Sequence, residues 1–364
     1  MERVFVGMDV HKEKIVAVGL PVDGTGPVFR EEYAGGDLSR VVKRLMRLGK
    51  THQIMACYEA GPCGYGLVRA LLEKGIDCRV VAPSLTPRKP GDRVKTDARD
   101  ARELALSLRA GTLTFVRIPS EEEESVRGLI RCREDIAKEV RRLKHIIAHW
   151  LLTHGCRKPS GVGSWSKSHW SWMRALELAA LDRSVLDHYL DTLWLLEGRL
   201  QVIEGQIVAL SDTEAYREKV GRLRAFRGFS VLGAMRVIAE VMEFGRFPSA
   251  PAFMKYAGLT PSEYSSSDRI RRGRITKAGN SLLRYVLVEA VQSVRSASPG
   301  RALLLRMEAV HGPLREIAVN CLGRLRTKFL RLLHRGVTSG KAKVAMAREL
   351  AGFVWAMMTA PEPA

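Results

Sequence analysis

The chain has 364 residues, with 59 Lys and Arg against 39 Asp and Glu, a formal charge of +20. Hydrophobic residues make up 46% and charged residues 27%, enough apolar material for packed cores, which excludes a largely disordered basic tail and argues against an ordinary metabolic enzyme. A positive excess of this size on a folded protein serves a polyanion, and nucleic acid is the commonest one in a cytosol.

The N-terminal elements alternate between strand and helix. Val4 to Asp9 reads as a buried strand ending in a carboxylate, Lys14 to Leu20 as a second strand, and Val28 to Tyr33 as a third after the turn Asp23-Gly24-Thr25-Gly26. Leu38 to Met46 has helical spacing, Gln53 to Tyr58 returns to strand and ends at Glu59, Tyr65 to Lys74 is helical, and Cys78 to Val81 is a short apolar strand. Three strands followed by alternating helices and strands predict an α/β domain with a mixed sheet over residues 1–118.

From Ser120 the pattern changes. Leu129, Ile136, Val140, Leu143, Ile147 and Trp150 follow a heptad alternation broken only by Arg133, and Leu193, Leu196, Leu200, Ile203, Ile207 and Leu210 repeat it. The Gly/Ser/Trp-rich link from Lys158 to Ser171 stops a continuous helix, so residues 119–212 are expected to form an antiparallel coiled-coil hairpin, which also offers a dimer surface. His145, His149 and His154 on this helix lack carboxylate or cysteine partners and read as ordinary helix residues. Residues 213–364 are expected to be mainly helical. There, Arg224 to Ala234 resembles a helix-hairpin-helix turn with Ser230 in place of one glycine, and a polar loop runs from Thr260 to Gly273.

No run of eighteen apolar residues and no signal-peptide pattern occurs, so a cytoplasmic location and no membrane partner are expected. Six scattered cysteines without a CxxC pair indicate neither a disulfide framework nor a structural zinc.

Asp9 and Glu59 each end an apolar strand, and Asp97 and Asp100 stand three apart at a helix start, where Asp97 is also explained as an N-cap. Carboxylates that converge at the ends of buried strands repel one another unless a cation sits among them. An all-oxygen set of this kind suits Mg²⁺ or Mn²⁺, and phosphodiester chemistry is what such a site does. Arg93, Lys95 and Arg99 flank the aspartate pair, and Arg269, Arg271, Arg272, Arg274 and Lys277 crowd the polar loop, where they are candidate phosphate contacts.

Three sets of residues carry a family resemblance: Val6 to Lys12 around Asp9, Tyr58-Glu59-Ala60, and Lys95 to Ala101 around Asp97 and Asp100. They resemble the Asp-Glu-Asp-Asp motif of the RuvC-like transposases of the IS-one-ten family of bacterial insertion sequences, bridge-RNA-guided recombinases related to the Piv DNA invertases. Tyr256 to Pro261, Tyr264-Ser265-Ser266, Gly273 to Asn280 and Leu283-Arg284 are similar to that family's second, transposase-specific domain in order and spacing. The resemblance implies an RNase H-like (RuvC-like) nuclease domain whose tetrad of Asp9, Glu59, Asp97 and Asp100 binds Mg²⁺ (or Mn²⁺), followed by the helical hairpin and a helical transposase domain. It further implies a serine nucleophile from the second domain, which maps onto the Ser265-Ser266-Ser267 run with Ser266 as the best match; Tyr264 is a rival. The implied partners are double-stranded DNA as target and donor, a structured guide RNA and further copies of the chain, as dimer or tetramer, in a bacterial cytoplasm. A Holliday-junction resolvase or other structure-specific endonuclease would keep the tetrad and drop the serine. An actin-like sugar kinase would need Gly-rich phosphate loops, and a non-catalytic scaffold would leave the four acidic residues unexplained.

Overall fold

The first strand, β1 (Glu2–Val10), is buried from Val4 to Gly7 and on through Met8, and the N-terminal unit is assembled around it. The computed structural model describes residues 1–364 apart from 25, 36, 87–95, 266–270, 296–297 and 362–364, and apart from the side chains of Ser84 and Arg272. The chain divides into two units, Met1–Pro119 and Ser120–Ala364.

In the N-terminal unit β1 pairs antiparallel with β2 (Lys14–Pro21), and β2 antiparallel with β3 (Phe29–Ala34). On its other side β1 pairs parallel with β4 (His52–Glu59), and β4 parallel with β5 (Asp77–Val81). The order β3-β2-β1-β4-β5 is the mixed sheet expected from the sequence. Parallel neighbours need crossovers, and α1 (Leu38–Leu48) and α2 (Gly66–Glu73) lie in those connections. Val41, Val42 and Leu45 of α1 and Leu67, Val68 and Leu71 of α2 pack on the sheet face that carries Val4, Val6 and Met8. The opposite face, with Phe5 and Cys57, is covered by Leu104 and Leu108 of α3 (Asp97–Arg109).

Gly7 sets how closely α3 approaches. A Cβ there would lie 2.0 Å from the Ala101 carbonyl oxygen and 2.5 Å from the Ala105 amide nitrogen. The helix therefore rests on bare strand backbone, with Ala101 and Ala105 as its own small contact residues.

The C-terminal unit opens with α4 (Glu121–Thr153), started by a reciprocal cap between Ser120 and Glu123. It runs antiparallel to α6 (Ala180–Ser211): Lys144 meets Glu197 at 2.6 Å, while Arg133, eleven residues earlier, meets Glu204. Val140, Leu143, Ile147 and Leu151 pack against Leu186, Leu190 and Leu193. Arg133, which breaks the heptad, is largely buried and satisfied by Glu204 and Glu134, and Glu134 also takes Arg236. The link between the long helices contains a short helix that the Gly/Ser content concealed, α5 (Lys167–Arg174), capped by Ser166 and braced by His169 stacked on Trp172.

Val126, Ile130 and Ile207 belong to the same core as the remaining helices, α7 (Glu214–Arg224), α8 (Val231–Val241), α9 (Ala250–Tyr256), α10 (Ser281–Ala290), α11 (Arg301–Glu308), α12 (Pro313–His334) and α13 (Ser339–Thr359). Between α9 and α10 the expected polar loop contains a hairpin, β6 (Pro261–Glu263) with β7 (Arg272–Ile275); strands of three and four residues are too short to show an alternating pattern. Glu240, a buried residue of α8, ties this region together. It accepts from Nε and Nη2 of Arg131 at 2.9 and 3.0 Å and from Nδ2 of Asn280 at 2.5 Å, while Asn280 Oδ1 caps α10 through the Leu283 amide. Burial alone would raise the Glu240 pKa, but these donors outweigh it and hold the carboxyl below its ordinary value.

Two outcomes follow from these packing constraints. Gly7→Ala is expected to cost about 3 kcal/mol, read as a lower urea midpoint, because backbone rather than a pliable side chain occupies the Cβ position. Glu240→Gln is expected to cost about 2 kcal/mol near neutral pH. A carboxyl with a depressed folded pKa contributes stability above its unfolded value and loses it as the pH falls through the folded value. The gap between wild type and Glu240→Gln should therefore be full above about pH 5 and close at lower pH in thermal melts.

Candidate functional site

The period-two alternation of strands decides which carboxylates meet. Phe5 and Gly7 of β1 face α3, so Asp9, two residues on, shares that face. Cys57 of β4 donates its thiol to the Leu104 carbonyl of α3, so Glu59 also belongs to that side. The parallel register pairs Gly7 with Cys57 and Met8 with Tyr58, which sets Asp9 and Glu59 at matching positions on the C-terminal ends of neighbouring strands. The Gly7 contact brings α3 over this edge with Asp97 and Asp100 in its first turn. The N-cap is Thr96, whose hydroxyl accepts from the Arg99 amide at 3.4 Å, so capping does not account for Asp97.

Asp9, Asp97 and His11 form one group, their ligand atoms all within 4.8 Å of one another. His11 Nε2 lies 3.1 Å from Asp9 Oδ1, and Lys14 Nζ lies 2.5 Å from Asp97 Oδ2. Glu59 stands outside the three-residue group although the register places it alongside. The other oxygen of Asp9, Oδ2, is buried and has no hydrogen-bond partner among the described residues. Burial raises the Asp9 pKa; the His11 charge and hydrogen bond oppose this, and the charges of Asp97 and Asp100 add to it. Asp97 is held low, first by its hydrogen bond from Lys14. An orphaned, half-buried carboxylate oxygen beside a second carboxylate and an imidazole fits a hard divalent cation, which would satisfy the oxygen and cancel the repulsion.

His11 and Lys14 were not singled out from the sequence. Their signal was faint: a histidine two residues beyond a strand-ending aspartate, in a turn closed by the His11 amide on the Lys14 carbonyl.

In the C-terminal unit Ser265 is exposed, donates to Glu263 Oε1 at 2.9 Å and accepts from the Arg271 amide at 3.3 Å. Tyr264 is 80% exposed and its amide pairs with the Arg271 carbonyl. Arg271, Arg274 and Lys277 are exposed along this hairpin, and Arg99 is exposed on α3. Ser266, Ser267, Arg269, Arg93 and Lys95 lie outside the described residues, as does the side chain of Arg272. The turn from α7 to α8 adopts the hairpin expected around Gly228, whose φ is +91° and where a Cβ would sit 1.8 Å from the Ala290 carbonyl oxygen.

Two family models match the chain: a DEDD transposase model over residues 6–155, and the transposase IS116/IS110/IS902 family over residues 220–304. Transposase domains of the first type generally work with a divalent metal. The chain is 38% identical over 360 residues to y4qE of Sinorhizobium fredii, a protein named for a transposase role, covering 98% of this chain and 88% of the relative. It is 33% identical over 254 residues to the transposase for insertion sequence element IS1533 of Leptospira borgpetersenii, covering 67% and 73% of the two chains. It is 22% identical over 363 residues to the transposase for insertion sequence element IS1111A of Coxiella burnetii, covering 98% and 90%. The acidic cluster and the serine hairpin fall within the two matched segments, and the chain belongs to the IS116/IS110/IS902 family of transposases, DNA-binding enzymes that cut and transfer DNA strands.

Proposed function

We propose that this chain is a recombinase that cleaves and rejoins DNA with an Asp9-Glu59-Asp97-Asp100 tetrad on an RNase H-like (RuvC-like) scaffold and a serine nucleophile, Ser266, under the guidance of a structured bridge RNA. The observation that carries the reading is the meeting of Asp9 and Asp97 at the C-terminal edge of a parallel strand pair, with Asp9 Oδ2 buried and unsatisfied among the described residues. Residues 1–118, 119–212 and 213–364 then serve as nuclease, coiled-coil and transposase regions.

Asp9, Asp97 and, from the neighbouring strand end and the same first turn of α3, Glu59 and Asp100 would hold Mg²⁺ or Mn²⁺. When bound, such an ion supplies positive charge to phosphodiester oxygens and eases loss of a hydroxyl proton. Lys14 keeps Asp97 ionised. His11 orients Asp9 through Oδ1, leaving Oδ2 for the cation. The serine Oγ forms a bond to phosphorus as the phosphorus–oxygen bond to one sugar breaks; the departing oxygen takes up the proton the serine has lost, and rejoining reverses the exchange. Arg271, Arg274 and Lys277 beside the serine run, and Arg99 beside the aspartates, supply phosphate contacts.

Partners follow from the surface. Trp194, Leu195 and Val202 of α6 are 64%, 57% and 64% exposed, and Leu195, Gly198, Val202, Gly205 and Ala209 continue a heptad on the side turned away from α4. This stripe supports pairing with a second copy. On α12, Arg324 and Lys328 are taken by Glu349, while Arg326 and Arg331, with Arg335 at the C-cap, are among the exposed cations that support RNA binding.

Mg²⁺ or Mn²⁺ is expected to raise the melting temperature of the wild type and to leave Asp9→Asn unchanged. Without metal, Asp9→Asn should melt no lower than the wild type, because the raised pKa marks a carboxylate whose charge the fold disfavours. An equal metal response in both proteins would return Asp9 to a structural role. The nucleophile is tested by denaturing electrophoresis: the wild type should leave DNA joined to protein, and Ser266→Ala should abolish the adduct while binding persists. Attachment mapped by mass spectrometry to Ser265 moves the assignment by one residue, attachment to Tyr264 refutes a serine mechanism, and cleavage with no adduct favours a resolvase.

A further inference from the structure

Arg246, in the connection between α8 and α9, lies with its guanidinium carbon 4.4 Å from the ring centre of Phe247 and 4.7 Å from that of Tyr256. Both rings are fixed from behind. Phe247 packs edge-on against buried Phe253, 5.2 Å between centres, and its carbonyl accepts from the Trp355 indole at 3.1 Å. Tyr256 lies 5.0 Å from the Phe247 ring and donates its hydroxyl to the Glu240 carbonyl at 3.3 Å. Aromatic faces orient a guanidinium and attract its charge, but they accept none of its in-plane hydrogen bonds.

Those bonds are unspent. Arg246 Nε is buried with no acceptor, and among the described residues no carboxylate, carbonyl or hydroxyl takes a bond from this side chain. Arg224 Nε and Arg236 Nε are buried in the same way, though Arg236 also holds Glu134 through Nη2; of the other arginines in the unit, Arg131 is committed to Glu240, Arg284 to the Ala257 carbonyl and Arg306 to the Phe229 carbonyl. A methionine or leucine would cover the same two rings without desolvating a charge, so packing alone does not account for an arginine here. What the arrangement provides is a planar fork of donors, held rigid in advance and lacking oxygens.

Tyr256 also fixes where that fork stands. The Asn280 amide donates to the Tyr256 carbonyl, the Lys277 amide to Gly258 and the Thr276 amide to Thr260, so the stretch 256–260 and the stretch 276–280 close the foot of the β6–β7 hairpin. Gly258 and Gly279 allow this approach: a Cβ on either would lie 2.1 Å from a carbonyl oxygen of the other stretch. The hairpin carries Ser265 and the exposed cations Arg271 and Arg274.

We propose that Arg246 binds a phosphodiester group of a nucleic-acid strand at the foot of the serine hairpin, its planar donors meeting two phosphate oxygens while Phe247 and Tyr256 hold it in place. This assignment rests on the nucleic-acid-binding reading above. The test is equilibrium binding of the full-length wild type and Arg246→Met to a DNA duplex and to a folded RNA between about 50 and 200 mM salt. Loss of one phosphate contact should weaken binding about tenfold at low salt, and the slope of log affinity against log salt should become shallower by about one. An effect on the duplex alone names DNA as the source of the phosphate, and one on the RNA alone names RNA. A folded variant with the wild-type slope on both polymers overturns the proposal and leaves the stack as packing. Should methionine prevent folding, Arg246→Gln is judged by the same slopes. A wild type that binds neither polymer in a salt-dependent way refutes the nucleic-acid reading and the proposal together, and that failure is distinct because it is seen before any variant is made.

Discussion

The closeness of α3 to β1 at Gly7 is the constraint on which the N-terminal unit depends. A side chain there would lift the helix off the strand, and the first turn of α3 would no longer stand over the carboxyl end of the parallel pair. With the helix seated on backbone, strand alternation sends Asp9 and Glu59 to the same side as α3, and Thr96 takes the capping role that would otherwise engage Asp97. A missing Cβ, the two-residue period of a strand and a threonine cap together concentrate negative charge at one edge. The protein offsets part of that charge with Lys14 and His11, both delivered by the tight turn between β1 and β2. The oxygen left over, Asp9 Oδ2, is buried and meets no donor among the described residues.

Much of this was legible in the sequence, for definable reasons. Strands buried on both faces, such as Val4 to Met8, show as unbroken apolar runs, and a carboxylate that ends such a run is conspicuous because burial has to be answered by a partner. Asp97 and Asp100 were legible as a pair through helical spacing. Glu240 was not, because it sits in an apolar helix and its partners Arg131 and Asn280 lie 109 and 40 residues away in the chain. No local pattern announces a contact that only the tertiary fold creates. The β6–β7 hairpin escaped notice because its strands are shorter than the window in which alternation shows, and α5 because serine and glycine beside tryptophan resemble a loop until Ser166 is seen as a cap. Arg133 looked like a defect in a heptad. In the structure it joins α4 to α6 by charge, as Lys144 and Glu197 do further along.

The two units solve the burial of charge in opposite ways. At the strand edge in the N-terminal unit, carboxylates are gathered and one oxygen, Asp9 Oδ2, meets no donor among the described residues. In the C-terminal unit the buried carboxylates Glu134 and Glu240 are each surrounded by donors: Arg133 and Arg236 for one, Arg131 and Asn280 for the other. A cluster with an unsatisfied carboxylate oxygen favours a ligand, whereas carboxylates that each hold two donors fix one geometry. The first arrangement suits chemistry and the second suits holding helices in register.

That second network has a practical consequence. Mobile ions weaken electrostatic attraction through the solvent they occupy, and the side chains of Glu134, Glu240, Arg133 and Arg236 are 5%, 1%, 14% and 13% exposed. Arg271, Arg274 and Lys277 along the hairpin and Arg326 and Arg331 on α12 stand in water and feel the full counterion atmosphere. Ionic strength thus acts unequally on the protein's charges: the buried carboxylates and the arginines tucked against Glu134 are shielded from brine, and the exposed cations are not. A concentrated salt wash should strip bound polymer from the surface while the helices stay locked together, leaving a chain that can be recharged with another polymer simply by dilution.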